Sequence, residues 1–312
     1  MVENIKPLVS VGVITYNQKN FLRECLDSIL IQDYENIEII IADDCSTDGT
    51  VDVAKEYFLK YPTKIKLALS EKNGGITKNC NNALKYITGD FVALTGGDDL
   101  FVQGKITAQV NWFLENPTGT ICTTDIEVFQ SETNKTISIL KSKEFKNSGP
   151  GKKIIRQRNQ PPSSNFMINK KICSHLHFDE RTPIVSDWLF YTDIALQGKI
   201  GYINGVYFKY RRHGNSVTSM NTGKSYLDDR LIYTDILLVK YPQYYRSCKI
   251  QRANIFFESG KRDFFLQDFK KAKQKSCAGI LENPLDIRNW VLLTSCFFGK
   301  YAHQIALKYK GA

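Results

Sequence analysis

Four short aliphatic runs, each followed by polar residues at its carboxyl end, constrain the first hundred residues more than any other feature. Leu8 to Thr15 (LVSVGVIT), Ile37 to Ala42 (IEIIIA), Ile65 to Leu69 and Phe91 to Thr95 (FVALT) are too short for helices and rich in β-branched residues. Such runs predict strands buried on both faces. Between them, Asn20 to Leu30, Thr50 to Tyr61 and Lys78 to Ile87 have helical spacing; in the first, Phe21, Leu22, Cys25, Leu26 and Ile29 share a face. Strand and helix in alternation imply βαβ crossovers and a mostly parallel sheet. Ligands of such sheets bind in the crevice outside the carboxyl ends of the strands. Tyr16-Asn17, Asp43-Asp44 and Asp98-Asp99 all fall at those ends, and solvation alone is a poor account of three polar ends in one crevice.

The pattern is less regular after Trp112. Ile121 to Phe129 and Ile200 to Tyr210 read as strands and Asp187 to Leu196 as a helix. Ser131 to Pro162 is polar and basic, which suits a hairpin and a loop, and amphipathic helices follow Ser225. The reading is therefore an α/β domain over residues 1–220 and a basic α-helical region over 221–312. Residues 222–312 carry 16 Lys+Arg and 8 Asp+Glu, a net of +8; the first 221 hold 26 against 24, a net of +2, together the chain's +10. A charge gathered in this way points to an anionic surface.

Several classes are excluded by absence. No GxxxxGK[ST] loop, no GxGxxG after the first strand and no GxSxG elbow occurs, so a phosphate-bearing ligand has no glycine cradle here. The eight cysteines show no CxxC pair and no zinc spacing, and read as small buried apolar residues. No stretch reaches the roughly 18–20 apolar residues that span a bilayer. Met1 to Lys6 lacks the apolar core of a secretory signal, so the expected location is the cytoplasm.

VSVGVITYNQKNFLRECLDSILIQ, IEIIIADDCSTDGT and EKNGGITKNCNNALKYITGDFVALTGGDD occur in that order, followed by SDWLFYTDIALQG and YRRHGNSVT. The ordered set resembles the inverting family 2 glycosyltransferases, whose fold is called GT-A: a Rossmann-like, mostly parallel sheet flanked by helices. The resemblance implies transfer of a sugar from a nucleotide-sugar donor to a hydroxyl, with Mg²⁺ or Mn²⁺ as cofactor. Thr15, Tyr16 and Asn17 would line the base and ribose. Asp44 would read the base, since a carboxylate accepts from an imide N–H, with Asp43 orienting the loop or sharing that task. Ser46 and Asp48-Gly49 also read as cap and turn.

Asp98-Asp99 takes the place of the family's Asp-x-Asp, with Gly97 where the first aspartate usually stands. Asp99 would bind the metal, a hard cation that neutralises charge on the leaving diphosphate, with Asp98 nearer the ribose. Asn73, Gly75 and Asn81 match the donor-binding pattern, but Cys80 replaces an arginine, and Lys78 could supply the missing charge. Asp187 would be the base that deprotonates the acceptor, with Ser186 in place of an acidic neighbour; the bland reading is a helix cap before Trp188. Trp188 reads equally as a sugar platform or as core. His213 aligns with a residue that completes the metal or diphosphate site in some relatives; Arg211 and Arg212 read as phosphate ligands or as surface charge.

The basic tail suggests a peripheral place on the inner face of a membrane. Lys261-Arg262 and Lys270 to Lys275 interleave with Phe264, Phe265 and Phe269, and Trp290 to Gly299 is apolar but too short to span. The same charge without a recognised module argues against nucleic acid. A saccharide or lipid-linked acceptor for a bacterial surface polysaccharide follows from the resemblance and the tail. The competing readings are a nucleotide-sugar-binding module without turnover, which would not need Asp99 and Asp187, and a nucleotidyltransferase, which would carry a glycine-rich basic loop after the first strand.

Overall fold

The structure, a computed structural model, describes residues 6–142, 155, 163–173, 175–214 and 224–308. The chain divides into two compact units, one of residues 1–154 and 160–221 and one of 155–159 and 222–312.

The first unit is built on one nine-stranded sheet in the order β3-β2-β1-β4-β8-β6-β9-β5, with β7 paired to β6. Strands β1 (Val9–Thr15), β2 (Ile37–Asp43), β3 (Ile65–Leu69) and β4 (Phe91–Gly96) are parallel neighbours, as their aliphatic runs predict. β8 (Met167–Asn169) runs antiparallel to β4 and to β6 (Gly119–Gln130), while β9 (Lys199–Arg212) returns parallel to β6. β5 (Leu100–Phe101) pairs antiparallel with β9, which brings Arg211 and His213 back to the segment after β4. β7 (Thr136–Leu140) forms the expected hairpin with β6; the loop expected beyond it, over 143–154 and 156–162, lies outside the described residues.

Both faces of the sheet are covered. Ile37, Ile39 and Ile41 of β2 pack with α1 (Lys19–Leu30), α2 (Thr50–Lys60) and α4 (Lys105–Glu115). The alternate residues Ile40 and Ala42 pack with α3 (Ile76–Leu84) and α5 (Ser186–Ala195) on the other face. Period-two alternation buried on both sides is why β2 reads as apolar at every position from Ile39 to Ala42. At Gly12 a Cβ would come within 2.6 Å of the Leu94 side chain, so the residue permits close approach of β1 and β4. Together these features make a GT-A fold.

The second unit is helical: α6 (Lys224–Lys240), a 3₁₀ turn at Pro242–Tyr244, α7 (Tyr245–Phe265), α8 (Phe269–Glu282) and α9 (Ile287–Lys308). Phe264, Ala272, Leu292 and Cys296 form one buried cluster in it, with Phe257 and Phe269 packed against them. Asp268 caps α8 by accepting from the Lys271 N–H at 3.1 Å. The Arg252 guanidinium donates to Asp235 of α6 and, at 2.8 Å, to Glu282 of α8, so one side chain on α7 ties three helices. Among the described residues no helix is long and apolar enough to cross a membrane.

Candidate active site

The carboxyl ends of β1, β2 and β4 meet as the sequence implies, and the turns that follow are tied to one another. After β1, Asn17 adopts φ 51°, donates its N–H to the Ser46 hydroxyl and accepts from the Thr47 N–H. Asn tolerates that left-handed conformation better than most residues. Asp43 accepts from the N–H and hydroxyl of Ser46, so it orients the loop that faces Asn17. Asp48 accepts from the N–H groups of Lys19 and Thr50, while Gly49, at φ 95°, sits just before α2.

Asp44 is buried, and its two carboxylate oxygens accept from Gly74 and Gly75 N–H at 2.8 Å each. Gly75 has φ 86°, and α3 starts immediately after it. This bond fixes where α3 starts, at Ile76 rather than at Lys78; the helix ends at Leu84, short of Ile87. Each carboxylate oxygen keeps a second lone pair for a base. Asn73 and Lys78 are exposed on this turn, and Lys78 packs its stem against Gly74. The Asn79 amide donates to Thr15 and Ala42 carbonyls, which joins α3 to the ends of β1 and β2.

Buried polar atoms are seldom left alone. Thr15 Oγ1, Gln18 Oε1 and Asn79 Oδ1 are nevertheless buried and have no hydrogen-bond partner among the described residues. All three lie on residues around the end of β1, while Tyr16 between them is 46% exposed. Unpartnered polar atoms at a strand end are what a polar ligand would satisfy.

At the end of β4 the two aspartates differ. Asp98 Oδ2 lies 2.9 Å from His213 Nε2, and the His213 ring sits 4.8 Å from that of Phe21. Asp99 is buried, and its Oδ1 accepts the Arg211 N–H at 3.0 Å. Burial first, then the Asp98 charge, push the Asp99 carboxyl well above the usual range, against the Arg211 N–H and the Ser164 hydroxyl. His213 therefore pairs with Asp98 directly. Among the described residues no three His, Cys, Asp or Glu side chains form a metal cage. Even so, two crowded carboxyls suit a divalent cation, which binds through one or two carboxylates and takes its other ligands from phosphate and water.

Asp187 lies in the first turn of α5 and accepts from the Trp188 N–H at 2.9 Å. The helix begins at Ser186 with Val185 at the N-cap, so Asp187 lies inside the first turn, not ahead of a helix that starts at Trp188. Its neighbour Ser186 meets the Thr77 hydroxyl of α3 at 2.9 Å. Cys80, one turn along α3, is buried near both Asp187 and Asp44; burial and then those charges push its thiol up to about 12. α3 thus spans from the Asp44 turn to the Asp187 helix.

Residues 10–176, more than half of the chain, match the family described as Glycosyl transferase family 2. The chain belongs to that family. It is 42% identical over 112 residues to the putative glycosyltransferase EpsE of Bacillus subtilis, covering 36% of this chain and 40% of EpsE. To the putative teichuronic acid biosynthesis glycosyltransferase TuaG of the same organism it is 37% identical over 112 residues, covering 36% and 44%. Matched stretches span 40% to 60% of the length of curated relatives such as these. Among solved structures it resembles Staphylococcus aureus TarS 1–349 in complex with UDP-GlcNAc, with a TM-score of 0.66 and 18% identity, covering 95% of this chain and 88% of that one.

Several residues that build this family 2 site were not legible from motifs. Arg211 is not a surface charge: it is buried, donates to the Asp98 carbonyl and to Glu24, and lies over the rings of Phe21 and Phe129. Lys105 is fully buried, donates to Gln109 and to the Asn165 carbonyl, and is driven down to about 7 by burial. It thereby holds the turn Ser163–Asn165 that presents Ser164 to Asp99. The apolar setting that makes Lys105 unusual comes from β5 and β9 and is invisible along the chain.

Proposed function

We propose that this family 2 chain moves a sugar from a UDP-sugar to a hydroxyl of a saccharide or lipid-linked acceptor, with inversion, in building a bacterial surface polysaccharide. The observation that carries the reading is the meeting of Asp44, Asp98 and Asp99 with unpartnered Thr15 Oγ1 and Asn79 Oδ1 at the ends of β1, β2 and β4. Likeness to TarS with bound UDP-GlcNAc and to TuaG supports the donor class and the polymer.

In this reading Thr15, Tyr16, Asn17 and Asp44 hold the nucleoside, with Asn73, Gly75 and Lys78 beside its diphosphate. Asp99 and His213 would hold Mg²⁺ or Mn²⁺, with Asp98 nearer the ribose. Bound there, the cation would offset charge on the departing diphosphate. Asp187 takes the proton from the acceptor hydroxyl as that oxygen attacks the anomeric carbon. The bond from that carbon to the diphosphate oxygen breaks on the opposite face, and its electron pair leaves with the diphosphate.

The test measures binding and hydrolysis of UDP-, dTDP- and GDP-sugars with either metal, for wild type, Asp99→Ala and Asp187→Asn. Asp99→Ala should lose metal-dependent binding. Asp187→Asn should keep binding and lose turnover by about 10²–10⁴-fold. Absence of binding by any nucleotide sugar, with either metal, would remove the transferase reading.

A further inference from the structure

The exposed side of α9 has no part in the chemistry above. The helix turns Leu292, Cys296 and His303 inward. Trp290, Val291, Phe297, Phe298, Tyr301 and Ile305 are 46%, 56%, 66%, 68%, 69% and 44% exposed. A surface helix ordinarily places charged residues on that side. Phe297 and Phe298 follow Trp290 and Val291 by seven positions each, about two helical turns, so these four share one side of the helix before the break at Gly299; Tyr301 and Ile305, four apart, share a side of the turns after it. Apolar side chains scattered singly need no explanation, whereas a contiguous set marks a surface that meets something.

The charge pattern names the occupant. α9 holds Lys300 and Lys308, both exposed, and no Asp or Glu, while its Arg288 is paired with Asp286 just before the helix. From the preceding helix, the Lys273 ammonium lies 3.7 Å over the Phe297 ring. Aromatic rings bordered by lysines match the boundary of an anionic bilayer, where rings sit at headgroup depth and ammonium groups meet phosphate. A second copy on the same face would instead set lysine against lysine, which opposes pairing. We infer that the exposed side of α9, with Lys273, docks on an anionic phospholipid surface. The inference stands apart from the donor chemistry.

The test is sedimentation of the full chain with vesicles of phosphatidylcholine alone or with about one-third phosphatidylglycerol, which supplies the surface charge. Wild type should pellet with the anionic vesicles and stay in solution with the neutral ones. Lys273→Gln, Lys300→Gln and Lys308→Gln should each weaken binding about fivefold. Phe297→Ser with Phe298→Ser should weaken it at least about tenfold. Unchanged donor binding and circular dichroism identify folded variants, and the lysine set, exposed throughout, stands if the phenylalanine pair misfolds. Wild type that remains in solution with anionic vesicles overturns the inference, as does full binding by both variant sets. Light scattering that finds a dimer which the serine pair dissociates would assign the patch to a second copy and overturn it equally.

Discussion

Gly97 stands where family 2 enzymes usually carry the first aspartate of their metal motif, and its surroundings leave little room for a side chain. A Cβ there would lie 3.0 Å from both Cβ and Oγ1 of Thr15 and 2.7 Å from Gln18 Oε1. The end of β1 has closed over the position. Gly97→Asp should therefore fail to restore the usual motif. Overpacking of this kind costs about 1–3 kcal/mol, so the urea midpoint should fall and donor affinity should not rise. A variant as stable as wild type would mean that β1 yields readily and that packing is not the reason for glycine. Arg211 makes the same point about residues and neighbours. Its place beside the histidine was visible in the sequence, but its burial depends on Phe21, Glu24 and Phe129, from segments far apart in the chain.

Elements repeat that division. β1, β2 and β4 were legible because their aliphatic runs stop at polar residues, a local signal that places Asp44, Asp98 and Asp99 at one sheet edge. β5 and β8 were not, since two or three residues carry no periodicity and pairing alone defines them. The boundary of α3 was missed because Asp44, from another element, fixes its start. Glu38 is a further case, a charged residue inside an otherwise apolar strand. It accepts from Ser10 on β1, from Lys66 on β3 and from Thr88 before β4. Burial acts to raise its carboxyl, yet those hydrogen bonds prevail and hold it down at about 2, against 4.5 for an ordinary glutamate. The folded state thus favours the ionised form, so its contribution is complete above about pH 4.5 and is lost as pH falls toward 2. Glu38→Gln should melt below wild type at neutral pH, and the gap should close as pH drops through that window. A gap that stays constant down to pH 2 would show that packing, not charge, holds Glu38.

For the whole molecule, charge and chemistry are separated along the chain: residues 222–312 carry +8 and the first 221, which contain every proposed donor contact, carry +2. If the donor binds among the strand ends while α9 meets lipid, salt should act differently on the two events. Screening weakens exposed lysines on a charged surface, since the Debye length falls to about 3 Å near 1 M salt. Partly buried groups such as Asp98 and His213 are screened less. Donor hydrolysis in solution should therefore change little with added salt. Transfer to a lipid-linked acceptor in anionic vesicles should slow as salt rises, through a higher apparent KM rather than a lower kcat. The comparison needs the two rates at low and high salt, with neutral vesicles as a third arm. An equal salt response in all three would mean that the positive charge serves the donor site or folding, and the separation of roles along the chain would fail.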